Sequence, residues 1–165
     1  MIAVSNTTPL RYLIAIESEH VLGQLFETVF VPMAVHEELT DLRTPQIVRQ
    51  RVMSPPHWYK VHAIGETQGV DFPAELHRGE REAILLAEQL HPDLILIDEQ
   101  IGRTIALGRN LPVSGTLGIL EQADKLGFIS EFAKTLKQLK ACGFYISDSL
   151  EQKLLQRHRI RKDSK

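Results

Sequence analysis

Hydrophobic and polar positions change period along the chain, and the changes mark out elements. Residues 2–5 form a short apolar run that ends abruptly at Asn6-Thr7-Thr8-Pro9. Leu10, Leu13 and Ile14 then recur at helical spacing, with Thr8 placed as N-cap and Pro9 as first helical residue. Val21, Leu22 and Leu25 predict a second short helix, and 29–31 a β-rich run. Pro32 opens a helix with Val35 and Leu39 on one face, and Pro45 opens another through about residue 51. Residues 58–64 alternate as a strand does, and 65–73 read as loop. The strongest helical signal spans 79–90, where Ala83, Ile84, Leu86, Ala87 and Leu90 share a face. Residues 94–97 are four apolar residues in succession, the pattern of a strand covered on both sides. A helix to about 107, a strand at 111–113, and helices from 116, over 130–140 and over 147–157 complete the series.

Strands alternating with helices predict an α/β domain with a mostly parallel sheet. Crossover connections bring the strand C-termini to one edge, where open α/β sheets bind ligands. Polar residues at strand ends and at the starts of the following helices are therefore the informative ones. Asn6 ends the first strand, Glu38 follows the second, Glu80 opens the strong helix, and Asp98 with Glu99 ends the four-residue apolar run. At about 100° per residue, Glu38 borders the buried face of its helix and Glu37 points to solvent. By the same count Glu80 sits above the core stripe, while Glu82 lies to one side. Each alone has an ordinary explanation: Glu80 complements a helix dipole, Asp98 caps a helix, Asn6 forms an Asx turn. Together, three carboxylates at one edge would repel one another without a cation among them, and oxygen ligands suit Mg²⁺ or Mn²⁺.

Composition adds exclusions. The chain has 165 residues, 43% hydrophobic and 24% charged, which fits one domain with a real core. No apolar run approaches the ~18 residues of a membrane span, and no signal segment is evident, so a cytoplasmic protein with no membrane partner is expected. Cys142 is alone, which excludes an internal disulfide and a Cys-based zinc cluster. The seven histidines show no zinc spacing. A net charge of −2 argues against a strongly basic nucleic-acid binder, yet residues 151–165 carry six cations against two anions. The expected organisation is one domain over 1–158 and a basic, flexible tail over 159–165. No G-x-G-x-x-G follows a strand, and "NTTPL" has no Walker lysine.

Several pieces, in order, resemble PIN-domain ribonucleases, a family that includes toxins of prokaryotic toxin–antitoxin pairs. They are "VSNTTPLRYL", "VFVPMAVHEEL" at 29–39, "HRGEREAILLAEQL" at 77–90, "LILIDEQIGRTIALGRNLPVSGTLGIL" at 94–120 and a late "GFYIS". The resemblance covers nearly the whole chain and rests on order and spacing rather than on any single motif. It implies a three-layer α/β/α sandwich around a mostly parallel sheet of four to five strands. It also implies Mg²⁺- or Mn²⁺-dependent hydrolysis of RNA, with 5′-phosphate and 3′-hydroxyl products.

Carried over position by position, the family's acidic residues fall on Asn6, Glu38, Glu80 and Asp98, with Glu82 as a fallback for the third and Glu99 as a helper in the metal shell. Asn6 stands where the family generally has Asp. An amide oxygen still ligates a hard cation but brings no charge, so weaker metal binding and slower chemistry are expected. Arg78, Arg81, Arg103 and Thr116 are the expected substrate contacts. A further cationic cluster is Arg43, Arg49 and Arg51, while Trp58 and Tyr59 read as core. Implied partners are RNA, a small antitoxin protein and a second copy of the chain, with Leu22 and Leu25 as surface for a homodimer. The alternative is a PIN-like module of weak or absent activity that binds RNA or a protein partner.

Overall fold

The computed structural model describes residues 1–66 and 71–164. Part of the expected 65–73 loop, residues 67–70, lies outside the described residues, as does Lys165. Five strands form one sheet: β1 (Ile2–Ser5), β2 (Thr28–Pro32), β3 (Tyr59–His62), β4 (Leu94–Leu96) and β5 (Val113–Ser114). Their order is β3-β2-β1-β4-β5, and every pairing is parallel. This is the expected parallel sheet, with helices on both faces.

The pleat explains the two-sided core. Ala3, Val29, Val31 and Leu96 face one apolar cluster, and Val4, Ile95 and Ile97 face another. The second is covered by α5 (Arg78–Leu90) and α6 (Gln100–Gly108). The first is covered by α1 (Thr7–Ala15), α2 (His20–Leu25), α3 (Met33–Thr40), α4 (Gln46–Met53), α7 (Thr116–Lys125), α8 (Phe132–Ala141) and α9 (Asp148–Asp163). β1 lies between β2 and β4, so the chain leaves the sheet centre in opposite directions. The crevice between the ends of β1 and β4 is the switch point at which such sheets bind ligands.

Three local expectations are corrected. Asn6, not Thr8, holds the N-cap position of α1, and Pro9 falls at its third residue. Proline is tolerated there because the N–H groups of the first helical turn have no partner within the helix. Leu22 and Leu25 are buried in the first cluster, which removes them as a surface for a second copy. Finally, α9 runs through Asp163, so residues 159–163 of the expected tail are helical. The cause is an ionic lock: Asp124 of α7 accepts from His158 Nδ1 at 2.7 Å and from Arg161. Trp58 and Tyr59, each 4% exposed, belong to the core.

Burial alone would push the Asp124 carboxyl up, but the bonds from Arg161 and His158 outweigh it and hold the group below its ordinary value. A depressed carboxyl contributes stability above the ordinary carboxylate range, and that stability is lost as pH falls through the folded-state value. Asp124→Asn is expected to lower stability at neutral pH by about 3 kcal/mol. It should also flatten the fall in melting temperature between neutral and acid pH. Thermal melts of both proteins across that range check it.

Candidate active site

At the C-terminal edge of the sheet, the first residue beyond β1 is Asn6, whose backbone N–H donates to Leu96 O at 2.9 Å. That bond ties the entry of α1 to β4. The Asn6 side chain makes no capping bond, so the Asx turn does not form, and its amide is left facing an open cavity. The cavity encloses about 640 Å³ and is lined by Asn6, Thr7, Thr8, Arg11, Tyr12, Glu38, His77, Arg78 and Glu80.

Two carboxylates reach it from opposite sides. Glu38 arrives from the last turn of α3, and its Oε2 accepts from Thr7 Oγ1 at 2.7 Å. Glu80 arrives from the first turn of α5 and is only 9% exposed. Among the described residues, no donor or cation pairs with the Glu80 carboxylate. The residue is buried but its carboxylate opens onto the cavity, where water or a cation can reach it.

Gly79 makes the approach possible. A Cβ there would stand 2.7 Å from Glu38 Oε1 and 3.3 Å from Asn6 Oδ1. The bare Cα thus lets an acid from α3 and an amide from the end of β1 close on the start of α5.

The other acids are engaged elsewhere. Asp98 does not line the cavity. Its Oδ1 accepts from Thr116 N–H at 2.8 Å and its Oδ2 from the Thr116 hydroxyl at 2.5 Å. Burial pushes the Asp98 carboxyl above its ordinary value, against the pull of Thr116 and Arg103. Glu99 caps α6, accepting from Ile101 N–H at 3.0 Å and Gly102 N–H at 2.7 Å. Glu82 accepts from Ala34 N–H at 3.1 Å and from Arg78 Nε at 2.8 Å.

Of the expected substrate contacts, Arg78 alone lines the cavity, braced by Glu82 and by Glu37 at 2.9 Å. Arg81 reaches Pro73 O at 3.4 Å, Arg103 donates to Ile97 O at 2.9 Å, and both donors of Thr116 go to Asp98. Arg11, Tyr12 and His77 were missed by sequence reasoning. Arg11 and Tyr12 follow Asn6 by one to two helical turns, and His77 precedes Glu80 by three residues, so helical spacing from the two chosen residues was the signal that could have found them.

Whether a hard divalent ion fits follows from the donor set. Glu80, Glu38 and Asn6 offer oxygen donors on one cavity wide enough for water ligands, as Mg²⁺ and Mn²⁺ require. Among the described residues, no three His, Cys, Asp or Glu side chains are grouped to cage a metal. The fit is therefore to a water-rich ion held by two acids and an amide, without the third carboxylate expected from Asp98.

A family model described as PIN domain matches residues 2–159. Proteins of that family are generally nucleases, commonly ribonucleases, and generally use divalent metals. A 96-residue stretch, 55% of this chain, is 29% identical to the proteasome activator BLM10 of Saccharomyces cerevisiae. It spans 4% of that protein, too little to transfer any property.

Gly79→Ala tests the geometry. Alanine favours the helix by up to about 1 kcal/mol, so the metal-free melting temperature is expected to hold or rise. The new methyl displaces the end of Glu38, so stabilisation by Mn²⁺ should weaken about tenfold in apparent affinity. Thermal shift against Mn²⁺ concentration reads both effects.

Proposed function

We propose that this chain, which belongs to the PIN-domain family, is a metal-dependent ribonuclease acting at the cavity between β1, α3 and α5. The observation that carries this is Glu80: a largely buried residue whose carboxylate, without a protein partner among the described residues, opens onto a cavity shared with Glu38, Asn6 and two arginines. Glu80, Glu38 and Asn6 would hold Mg²⁺ or Mn²⁺. The bound ion supplies Lewis-acid polarisation of the phosphodiester and a more acidic water.

The chain's own groups supply the rest. Glu38, oriented by Thr7, is placed to take a proton from the attacking water or to aim it. Arg78, bridged to Glu37 and Glu82, keeps part of its guanidinium free on the cavity as a secondary contact for the phosphate. Asp98 acts from behind, fixing the start of α7 through Thr116, and Glu99 fixes the start of α6. In-line attack of water at phosphorus breaks the P–O3′ bond. The electron pair leaves with the 3′ oxygen, which takes a proton from solvent water, giving a 3′-hydroxyl and a 5′-phosphate. The same reading makes the chain the toxin of a toxin–antitoxin pair, with the small partner covering the cavity.

A second reading has its own support. Asn6 brings no charge, and Asp98 is bound to Thr116 away from the cavity, which fits a module that binds RNA without cutting it. A ribonuclease assay with Mn²⁺ separates the two. Wild type is expected to cleave, Glu80→Gln to lose at least about 100-fold in rate, and Asn6→Asp to cleave as fast or faster. At ten times its Kd, Mn²⁺ should stabilise wild type by about 1.4 kcal/mol and Glu80→Gln by nothing. Wild type that neither cleaves nor gains stability with Mn²⁺ would favour the binding module.

A further inference from the structure

One part of the cavity wall is idle in the chemistry above. Arg11 and Tyr12, on α1, stand beside Asn6 and Thr7 on the same cavity. Arg11 is exposed and, among the described residues, pairs with no carboxylate. It also lines a second cavity of about 310 Å³, together with Glu38, Arg43, Thr44 and Arg78. The two cavities are therefore neighbours across Arg11, Glu38 and Arg78.

Tyr12 is half-buried and fixed in place. Its ring meets Phe144 edge-to-face, with centroids 5.1 Å apart and planes at 84°. The Arg11 guanidinium carbon lies 6.0 Å from the Tyr12 centroid. Among the described residues the Tyr12 hydroxyl has no protein partner and is open to solvent. An aromatic ring held by packing on the cavity wall, with an adjacent guanidinium that no carboxylate among the described residues pairs, matches what a nucleotide needs. The ring gives a stacking surface for a base, and the guanidinium a contact for the phosphate of the same residue.

We infer that Arg11 and Tyr12 form a nucleotide subsite, Tyr12 taking an unpaired base and Arg11 its phosphate, so that the strand entering this cavity is single-stranded. This rests on the proposed function for the identity of the polymer, but not for its cleavage. Stacking on a tyrosine is tolerant of base identity and intolerant of pairing, because a base within a duplex offers no free face. The subsite therefore selects unpaired strand rather than a sequence. Phe144 belongs to the "GFYIS" segment between α8 and α9, so this segment, remote in sequence from the acids, acts by holding Tyr12.

The test is equilibrium binding without cleavage: fluorescence anisotropy of a labelled ten-residue oligouridylate in EDTA, beside an abasic oligomer of equal length and an RNA duplex. Wild type is expected to bind oligouridylate more tightly than either control. Tyr12→Ala should weaken oligouridylate about tenfold and leave the abasic oligomer unchanged, while Tyr12→Phe, which keeps the ring, stays within about twofold of wild type. Arg11→Gln should weaken both single strands equally and reduce the salt dependence by about one charge. Equal losses on both single strands in Tyr12→Ala, or no loss on either, would overturn the subsite. So would wild type that prefers the duplex. Base-dependent binding without Mn²⁺-dependent cleavage would sink the hydrolase and leave the subsite standing. Cleavage that is indifferent to Tyr12 would do the reverse.

Discussion

The site depends on the parallel pairing of β1 with both β2 and β4. In a parallel sheet every strand delivers its C-terminal end to the same edge, so the residue after each strand is offered to one crevice. The bond from Asn6 N–H to Leu96 O ties the two sides of that crevice together. α1 and α5 then start on either side of it. Nothing in the later sequence needs to fold around a ligand, because the backbone has already brought residues 6, 38 and 80 together.

The acids divide by whether a donor of the protein reaches them. Glu82, Glu99 and Asp98 each accept from a backbone N–H, and each holds a helix start or a junction in place. Among the described residues Glu80 has no such donor, and Glu38 has only a hydroxyl on one oxygen. A carboxylate whose lone pairs are filled by amides is a structural device, worth about 1 kcal/mol as a helix cap is. One left without such a donor and open to the cavity is free to accept a ligand from it. The distinction between positioning acid and ligand acid is thus made by the hydrogen-bond partners and not by place in sequence.

Much of the fold was legible because its signals are local. The unbroken apolar run before Asp98, the helical stripe after Gly79 and the prolines at helix starts each announce an element within a few residues. The assignment of Glu80 and Glu38 to one edge followed from those elements and from parallel crossover geometry. What was not legible depends on distant partners. Asp98 meeting Thr116 is a contact across eighteen positions, and it turns an expected ligand into a brace. Leu22 and Leu25 looked available for a second copy, since a short helix alone does not reveal which face its neighbours cover. The continuation of α9 is set by Asp124, thirty-odd residues upstream, which no local pattern of basic residues displays.

Asn6 acquires a reason when the cavity is considered as a set of charges. Its lining carries two carboxylates, Glu38 and Glu80, and two guanidinium groups, Arg11 and Arg78. Arg78 is already compensated by Glu37 and Glu82, so the charge free to act is two negatives against Arg11. On the proposed reading, an aspartate at position 6 would add a third negative charge to the cavity that a polyanion would enter. With the ion bound, its charge offsets that repulsion, so the cost of an aspartate falls on strand binding to the metal-free site and not on cleavage. The amide keeps an oxygen where a cation can use it and omits that repulsion. It trades affinity for the ion against access for the strand, and Arg11, on the helix that Asn6 begins, stands on the side of the strand.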